Sequence, residues 1–158
     1  MRSPNRIVRL IALDLDGTLL DSKFNLSERS QRALTMAFDE GIELAIVTGR
    51  RNSAARRLVK ALNFNHYFIT SAGALISSKK NGVISSSPFN SDLLRQFLMH
   101  VESFQGSTFL VTGTEGHGEI LCHKPDTEDS HVARYLKMNR EYTVYVGHLT
   151  DNLWANVL

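Results

Sequence analysis

The chain has a single cysteine, Cys122, among its 158 residues, together with only three prolines and one tryptophan. A lone cysteine cannot form a disulfide within the chain, which favours a reducing compartment such as the cytoplasm. The first apolar run, 7–13, contains Arg9 and ends at Asp14, so it is too charged and too strand-like for a membrane span or a signal peptide. The formal net charge of +2 gives no reason to expect a nucleic acid or a membrane as partner.

The first half of the sequence alternates strand patterns with helix patterns. Strands are predicted over 7–13, 42–47 and 67–70, and helices over 27–40 and 53–62. The run 7–13 is nearly all apolar, as expected for a strand that is covered on both faces. Ser27 is the expected N-cap of the first helix, and Gly41 fits its C-terminal end. This order predicts an α/β fold with a parallel sheet and helical crossovers.

The pattern changes after about Ala74. Asn81-Gly82 lies between two short apolar pairs, 75–76 and 83–84, and predicts a β-hairpin. The remaining elements are helices over 93–104 and 126–138, and strands over 108–111, 119–122 and 142–146. They predict an α+β module, with the serine run before Pro88 as the linker.

Polar or small residues follow the three strands predicted in the first half. These strand ends are 14–18, 48–50 and 71–74, and ligands of open α/β sheets bind beyond such ends. Asp14 and Asp16 are two residues apart, so both carboxylates can point to one side of an extended strand. Gly17 and Gly49 provide accessible backbone N–H groups and Thr48 provides a hydroxyl, which suits a bound phosphate.

Three motifs carry a resemblance to a known family. They are Leu13-Asp14-Leu15-Asp16-Gly17-Thr18-Leu19-Leu20, Val47-Thr48-Gly49-Arg50 and Ser71-Ala72-Gly73-Ala74. Together they resemble the haloacid dehalogenase (HAD) superfamily, and within it the Cof-type phosphatase branch. The resemblance implies a Rossmann-like parallel sheet with an inserted α+β cap. Residues 1–84 would form the amino-terminal half of the core and 85–158 the cap, and the change near Ala74 falls where that cap would begin.

The resemblance also assigns roles to individual residues. Asp14 would be the nucleophile that forms an aspartyl-phosphate, and Asp16 the general acid and base. The Asp14 carboxylate and the Asp16 backbone carbonyl would hold Mg²⁺. The phosphate-binding residues would be Gly17, Thr48, Gly49 and Arg50. The implied reaction is the Mg²⁺-dependent hydrolysis of a small phosphorylated metabolite such as a sugar phosphate.

Two further features of the family are not found in this sequence. They are a lysine and a Gly-Asp-x-x-Asn-Asp type motif, both of which would follow the cap. The chain is therefore expected to be an amino-terminal portion with an incomplete core and cap, and with weak or absent hydrolysis. One edge of the Asp14 strand would then be unpaired and apolar, which predicts self-association. Ala72 also replaces the asparagine that the family usually has, which puts a substrate contact there in doubt.

Other interpretations of the sequence stay open. The main alternative is a non-catalytic fragment that binds phosphate or metal in a regulatory role. A phosphoacceptor domain is less favoured, because it explains neither the cap nor the Asp-x-Asp-Gly-Thr spacing. Arg50 could be a solvated charge, and 113–118 a flexible turn rather than a phosphate cradle, since no helix follows it. Zinc binding is disfavoured because the spacing of the candidate ligands fits no usual zinc site: His117, Cys122, His123 and His131. Leu153 and Trp154 are expected in the cap core.

Overall fold

The structure, a computed structural model, describes residues 8–113, 115–124, 129–152 and 157–158. The chain divides into two compact units, Met1–Ser86 and Ser87–Leu158. The helices and strands of the first unit are β1 (Leu10–Leu13), α1 (Glu28–Asp39), β2 (Glu43–Val47), α2 (Asn52–Leu58), β3 (Tyr67–Thr70), β4 (Leu75–Ser78) and β5 (Gly82–Ser86). Those of the second unit are α3 (Ser91–His100), β6 (Phe109–Val111), β7 (Ile120–His123), α4 (Ser130–Met138) and β8 (Thr143–Val146).

A five-stranded sheet in the order β1-β2-β3-β4-β5 organises the first unit. β1, β2 and β3 run parallel, with Leu13 opposite Ile46 and Val47 opposite Ile69. The predicted α/β fold with a parallel sheet is thereby confirmed. β4 and β5 form the predicted hairpin, but β4 pairs antiparallel with β3 in the same sheet. The change of pattern near Ala74 therefore coincides with the turn into this hairpin, and the expectation that an inserted cap begins near there stays a prediction.

The boundary between the units lies inside the predicted serine linker, between Ser86 and Ser87. The second unit contains a three-stranded sheet in which β7 pairs antiparallel with β6 and parallel with β8. The assignment of 1–84 to a core and of 85–158 to a cap stays a proposal, because the division into units does not test what each unit does.

Hydrogen bonds at both ends of α1 explain where it begins and ends. At the N-cap, the Ser27 hydroxyl oxygen accepts a bond of 3.0 Å from the Ser30 N–H. At the other end, Gly41 has φ +79° and its N–H donates to the Phe38 carbonyl, while the Ile42 N–H donates to Ala37. This is the Schellman pattern, which a residue in the left-handed region closes. The helix therefore has the limits that its caps predict.

The core of the first unit is formed by residues of β2, β3, α1, α2 and the turns, while β1 contributes only partly buried residues packed against it. Its buried members are Leu15, Leu19, Leu20, Leu34, Leu44, Ile46, Ala55, Val59, Leu62 and Phe68. On β1, Leu10 is 52% exposed and Ala12 is exposed as well, while Ile11 and Leu13 are half-buried. The expectation of a strand covered on both faces was wrong, because the face of β1 that carries Leu10 and Ala12 is exposed and only the face with Ile11 and Leu13 packs against the core. Ile7, where that strand was predicted to begin, lies outside the described residues.

The second unit has its own core, formed by residues of α3, β6 and β7 with two from later segments. The members are Leu94, Leu98, Leu110, Leu121, Leu149 and Val157. Segment 113–118 connects β6 and β7, with Thr114 outside the described residues. The predicted start of α4 at Asp126 and the predicted core residues Leu153 and Trp154 also lie outside them. None of the helices in the described ranges is long and apolar enough to cross a membrane.

Candidate active site

The two predicted carboxylates lie just beyond the end of β1. Asp14 has an extended backbone, with φ −76° and ψ 157°. Asp14 and Asp16 are exposed, whereas Leu15 between them is fully buried. Alternation along the extended chain therefore directs one side chain into the core and leaves both carboxylates accessible to solvent.

The turn after Asp16 depends on Gly17. Its φ of +73° lies in the left-handed region, which costs glycine less than any other residue. The Leu20 N–H closes the turn with a bond of 2.9 Å to the Leu15 carbonyl, and Leu19 and Leu20 are buried. Two hydrophobic anchors thus fix a loop whose polar residues remain exposed.

The end of β2 brings Thr48 to the same edge of the sheet. Leu13 pairs with Ile46, so Asp14 and Thr48 both lie just beyond this pair. Thr48 is 6% exposed, its N–H donates to the Ile69 carbonyl, and its hydroxyl oxygen accepts the Arg50 N–H at 3.2 Å. Its hydroxyl hydrogen is therefore still able to donate. Gly49 has open space where a Cβ would lie, so a ligand can approach its backbone.

Arg50 binds Asp16 with two hydrogen bonds. Its Nε and Nη2 donate to the two carboxylate oxygens, Oδ2 and Oδ1, each at 2.7 Å. This bidentate geometry is the strong form of an arginine–carboxylate pair. The hydrogen bond and charge of Arg50 lower the pKa of Asp16, and Asp16 in turn raises the pKa of Arg50. Arg50, which was predicted to bind phosphate, therefore contacts Asp16, which was predicted to be the general acid.

Phe24 is a contact of this pair that the sequence did not indicate. The Arg50 guanidinium carbon lies 5.1 Å from the centre of the Phe24 ring, within the range of a cation–π contact. Phe24 has φ +61°, in a turn where the Asp21 carboxylate accepts N–H bonds from Lys23 and Asn25. In the sequence, only Asp21 indicates a turn at this position, because aspartate is a common turn residue. It does not indicate that Phe24 contacts Arg50.

The third strand end joins the site through the backbone. The Ser71 N–H donates to the Arg50 carbonyl at 2.9 Å, which connects the ends of β2 and β3. Ser71, Ala72 and Gly73 have φ values of 49°, 54° and 99°, so two residues with side chains adopt a conformation that they rarely occupy. The Ser71 hydroxyl oxygen is buried and has no hydrogen-bond partner among the described residues. The sequence identified the segment but not its strain.

The donor set for a cation at this site consists of two aspartates. The described residues contain no group of three or more His, Cys, Asp or Glu side chains that could hold a metal ion. The Asp14 carboxylate and the Asp16 backbone carbonyl are oxygen donors of the type that Mg²⁺ prefers, and Mg²⁺ needs few protein ligands because it keeps several waters. The site therefore fits Mg²⁺ with a minimal set of protein oxygens.

The zinc alternative finds no support in the described part of the second unit. Cys122 is 1% exposed, packs in a small core with Val132 and Leu136, and forms no described metal cluster. Burial raises the pKa of its thiol to about 11, which disfavours the thiolate that a metal would need.

Comparisons with known proteins agree with these motifs. The haloacid dehalogenase-like hydrolase family matches residues 11–155. The 5-amino-6-(5-phospho-D-ribitylamino)uracil phosphatase YcsE of Bacillus subtilis is 31% identical over 98 residues, which is 62% of this chain and 35% of that protein. The HMP-PP phosphatase of an Enterobacter species is 32% identical over 87 residues, which is 55% of this chain and 32% of that protein.

A solved haloacid dehalogenase-like hydrolase from B. subtilis has the same fold. It superposes with a TM-score of 0.69 at 21% identity, over 92% of this chain and 56% of that one. The chain thus spans about half the length of this structural neighbour, and its alignments span about a third of the two curated relatives. Because the family match extends over nearly all of its sequence, the chain belongs to the haloacid dehalogenase-like hydrolases.

Proposed function

We propose that this protein is a Mg²⁺-dependent phosphatase of small phosphorylated metabolites, of the sugar-phosphate type, with Asp14 as its nucleophile. The observation that carries this proposal is the pair of exposed carboxylates at the end of β1, at the same sheet edge as the Thr48 hydroxyl. The two curated relatives are both named phosphatases of small phosphorylated compounds, which supports the substrate class. The lone buried thiol, Cys122, is consistent with a cytoplasmic location.

The proposed reaction has two steps. An oxygen of Asp14 attacks the phosphorus, the bond to the ester oxygen breaks, and Asp16 gives its proton to that leaving oxygen. Water then attacks the phosphorus of the aspartyl-phosphate, Asp16 takes up the water proton, and inorganic phosphate leaves with Asp14 restored. The Thr48 hydroxyl and the backbone N–H groups near Gly17 and Gly49 would bind the phosphoryl oxygens.

A cation is required because a carboxylate and a phosphate repel each other. The Asp14 carboxylate and the Asp16 backbone carbonyl would hold Mg²⁺, which supplies positive charge next to the phosphoryl group. Arg50 provides a cation beside Asp16, since its Nε and Nη2 donate to the carboxylate of that residue. An arriving phosphate competes with Asp16 for this guanidinium, so Arg50 would transfer from one anion to the other.

The same arrangement favours a second candidate function, a phosphate- or metal-binding protein without turnover. Asp16 must be protonated to act as an acid, and Arg50 lowers its pKa. The described residues also hold no third acidic ligand near the two aspartates. From these two observations we infer slow hydrolysis by this chain, and the second candidate is the limit in which hydrolysis is absent.

The proposal is tested by the release of inorganic phosphate from a panel of small phosphate monoesters that includes sugar phosphates. We expect slow release with Mg²⁺, none with EDTA, and loss of the activity in Asp14→Asn. The matched control is Asp39→Asn, which makes the same change on the exposed surface of α1 and should keep the wild-type rate.

Release that is equally fast in Asp14→Asn and in the wild type contradicts the proposed nucleophile. Mg²⁺-dependent binding of orthovanadate without any phosphate release favours the non-catalytic candidate. If neither release nor Mg²⁺-dependent binding occurs, both candidates are rejected.

A further inference from the structure

The first unit contains a cavity away from Asp14 and Thr48. It has a volume of about 210 Å³, and its lining includes Arg56, Lys60, Leu62, His66, Phe68 and Lys79. His66 directly precedes β3 and Lys79 directly follows β4, at the end of the pair where Tyr67 lies opposite Ser78. The candidate active site lies beyond the other end of β3, so the two sites are at opposite ends of the same strand.

Positive charge dominates the lining of this cavity. Three lining side chains are cationic, Arg56, Lys60 and Lys79, and the lining residues include no aspartate or glutamate. Two of the cations are held in place by carbonyl groups: Arg56 Nη2 donates to Ser78 at 3.2 Å and Lys79 Nζ donates to Leu62 at 2.8 Å. Like charges held close together repel, and an anion between them lowers that energy.

Arg56 is further fixed by an aromatic contact. Its guanidinium carbon lies 5.2 Å from the centre of the Phe68 ring, within cation–π range. Its Nε is buried and has no hydrogen-bond partner among the described residues. A buried donor without a partner carries a desolvation penalty, which a bound acceptor removes.

His66 presents a second unpaired atom of the opposite type. The side chain is 2% exposed, and its Nδ1 lies 3.0 Å from the Phe64 carbonyl, which can only accept, so Nδ1 carries the hydrogen. In the neutral ring Nε2 is then an acceptor, and it has no partner in the described part of the chain. Burial, with smaller effects from the charges of Lys79 and Arg56, lowers the pKa of His66 and favours this neutral form.

We propose that this cavity binds a small oxyanion of the phosphate class, with Arg56, Lys60 and Lys79 balancing its charge and His66 Nε2 accepting from its hydroxyl group. Hydrogen phosphate and a protonated phosphate monoester have both the negative oxygens and the hydroxyl hydrogen that these residues require, whereas sulfate lacks the hydrogen. The volume of 210 Å³ is below the roughly 300–1,000 Å³ of pockets for drug-sized ligands, which favours a small anion. No bond is broken in this site, so the proposal does not depend on turnover at Asp14.

The test follows the imidazole NMR signals of His66 while inorganic phosphate is added in EDTA at constant ionic strength. We expect a saturable shift in the wild type and in Asp14→Asn, and an affinity at least about tenfold lower in Lys60→Glu, because the variant places a negative charge beside the anion. The matched control is Arg32→Glu, which makes the same charge change on the exposed surface of α1 and should keep the wild-type affinity.

Three results would overturn the proposal. The first is the absence of a saturable shift of His66, and the second is an equal loss of affinity in Lys60→Glu and Arg32→Glu. The third is that sulfate binds as tightly as phosphate, which contradicts the role of the hydroxyl group. If Lys60→Glu disturbs the spectrum of the fold, Lys60→Ala replaces it, with a smaller expected loss of affinity.

Discussion

Arg50 stabilises the ionised form of Asp16, because one guanidinium donates to both oxygens of the carboxylate at 2.7 Å. Asp14 is exposed and forms no bidentate arginine pair among the described residues. The two carboxylates therefore have different environments although they are two residues apart. Environments of this kind separate a nucleophile from a proton-transfer group in enzymes that use paired carboxylates.

Replacing Arg50 should return the pKa of Asp16 towards its ordinary value. In Arg50→Ala we expect the pKa of Asp16 to rise towards 3.8, because the hydrogen bonds and the charge that lower it are lost. The measurement is an NMR titration of the Asp16 side-chain carboxyl in Mg²⁺-free buffer. An unchanged pKa in Arg50→Ala, equal to that in the control Arg32→Ala, would contradict the described pair.

The same pair predicts how stability depends on pH. Since the folded-state pKa of Asp16 is lowered, its contribution is present above about 3.8 and is lost as the pH falls through the lowered value. Both partners are partly exposed, so the loss in Arg50→Ala near neutral pH should be about 0–1 kcal/mol. Urea unfolding of wild type and Arg50→Ala at pH values above and below that pKa measures this loss in the free energy of unfolding. A loss that persists below the lowered pKa would contradict its assignment to the Arg50–Asp16 pair.

At the residue scale, the sequence predicted that the candidate residues follow the ends of parallel strands but not which residues they contact, and their role as a site stays a proposal. Asp14, Asp16 and Thr48 follow from the rule that ligands bind beyond the carboxyl ends of parallel strands. The sequence could not predict the partner of Arg50, because the guanidinium can bind either the Asp16 carboxylate or a phosphate at the candidate site. Phe24 was missed since its position depends on a turn of the chain rather than on any local pattern.

At the level of elements, caps were better guides than apolar periodicity. Ser27 and Gly41 located both ends of α1, and β3 lies at Tyr67–Thr70 as predicted. By contrast, α2 was predicted to reach 62 but ends at Leu58. Val59 and Leu62 are each 1% exposed, so they continue the apolar spacing after the backbone has left the helix. The spacing of apolar residues indicates which residues are buried, and here the buried residues continue into the turn that follows α2.

Gly41 provides a test of the α1 end. Its φ is +79° and a Cβ built on it would contact nothing within 4 Å, so Gly41→Ala adds backbone strain without a clash. We expect a loss of about 1 kcal/mol in the free energy of unfolding, measured by urea denaturation. The control is Gly147→Ala, where the space is also open and φ is not in the left-handed region. Equal effects of the two variants would show that the Schellman end does not stabilise α1.

At the scale of the whole molecule, the chain has two compact units with separate cores. The sequence predicted two halves of different character because strand and helix patterns alternate regularly only in the first half. It could not predict that the hairpin β4–β5 joins the first sheet, since a hairpin signal carries no information about the strand beside it. The apolar run alone does not reveal the edge position of β1, because such a run is the same at an edge and at a centre; the unpaired edge was expected from the family resemblance instead.

The edge position of β1 carries the proposal of self-association. Among the described strands β1 pairs with β2 alone, and Leu10 is 52% exposed on it. An apolar edge with unpaired backbone groups is a template for pairing with another chain. We expect light scattering to show association that increases with concentration and is reduced in Leu10→Lys. Met36→Lys, which changes a 69% exposed residue of α1, should not reduce it. A wild-type protein that stays monomeric at high concentration contradicts this prediction.

The central claim is that Asp14 becomes phosphorylated during turnover, and one measurement tests it directly. The protein is mixed with a small phosphate monoester and Mg²⁺, quenched in acid, digested and analysed by mass spectrometry. We predict one phosphoryl group on the peptide that contains Asp14, and none on that peptide from Asp14→Asn. Phosphate release from the wild type with Asp14 unmodified at every time point, together with an undiminished rate in Asp14→Asn, would contradict the claim.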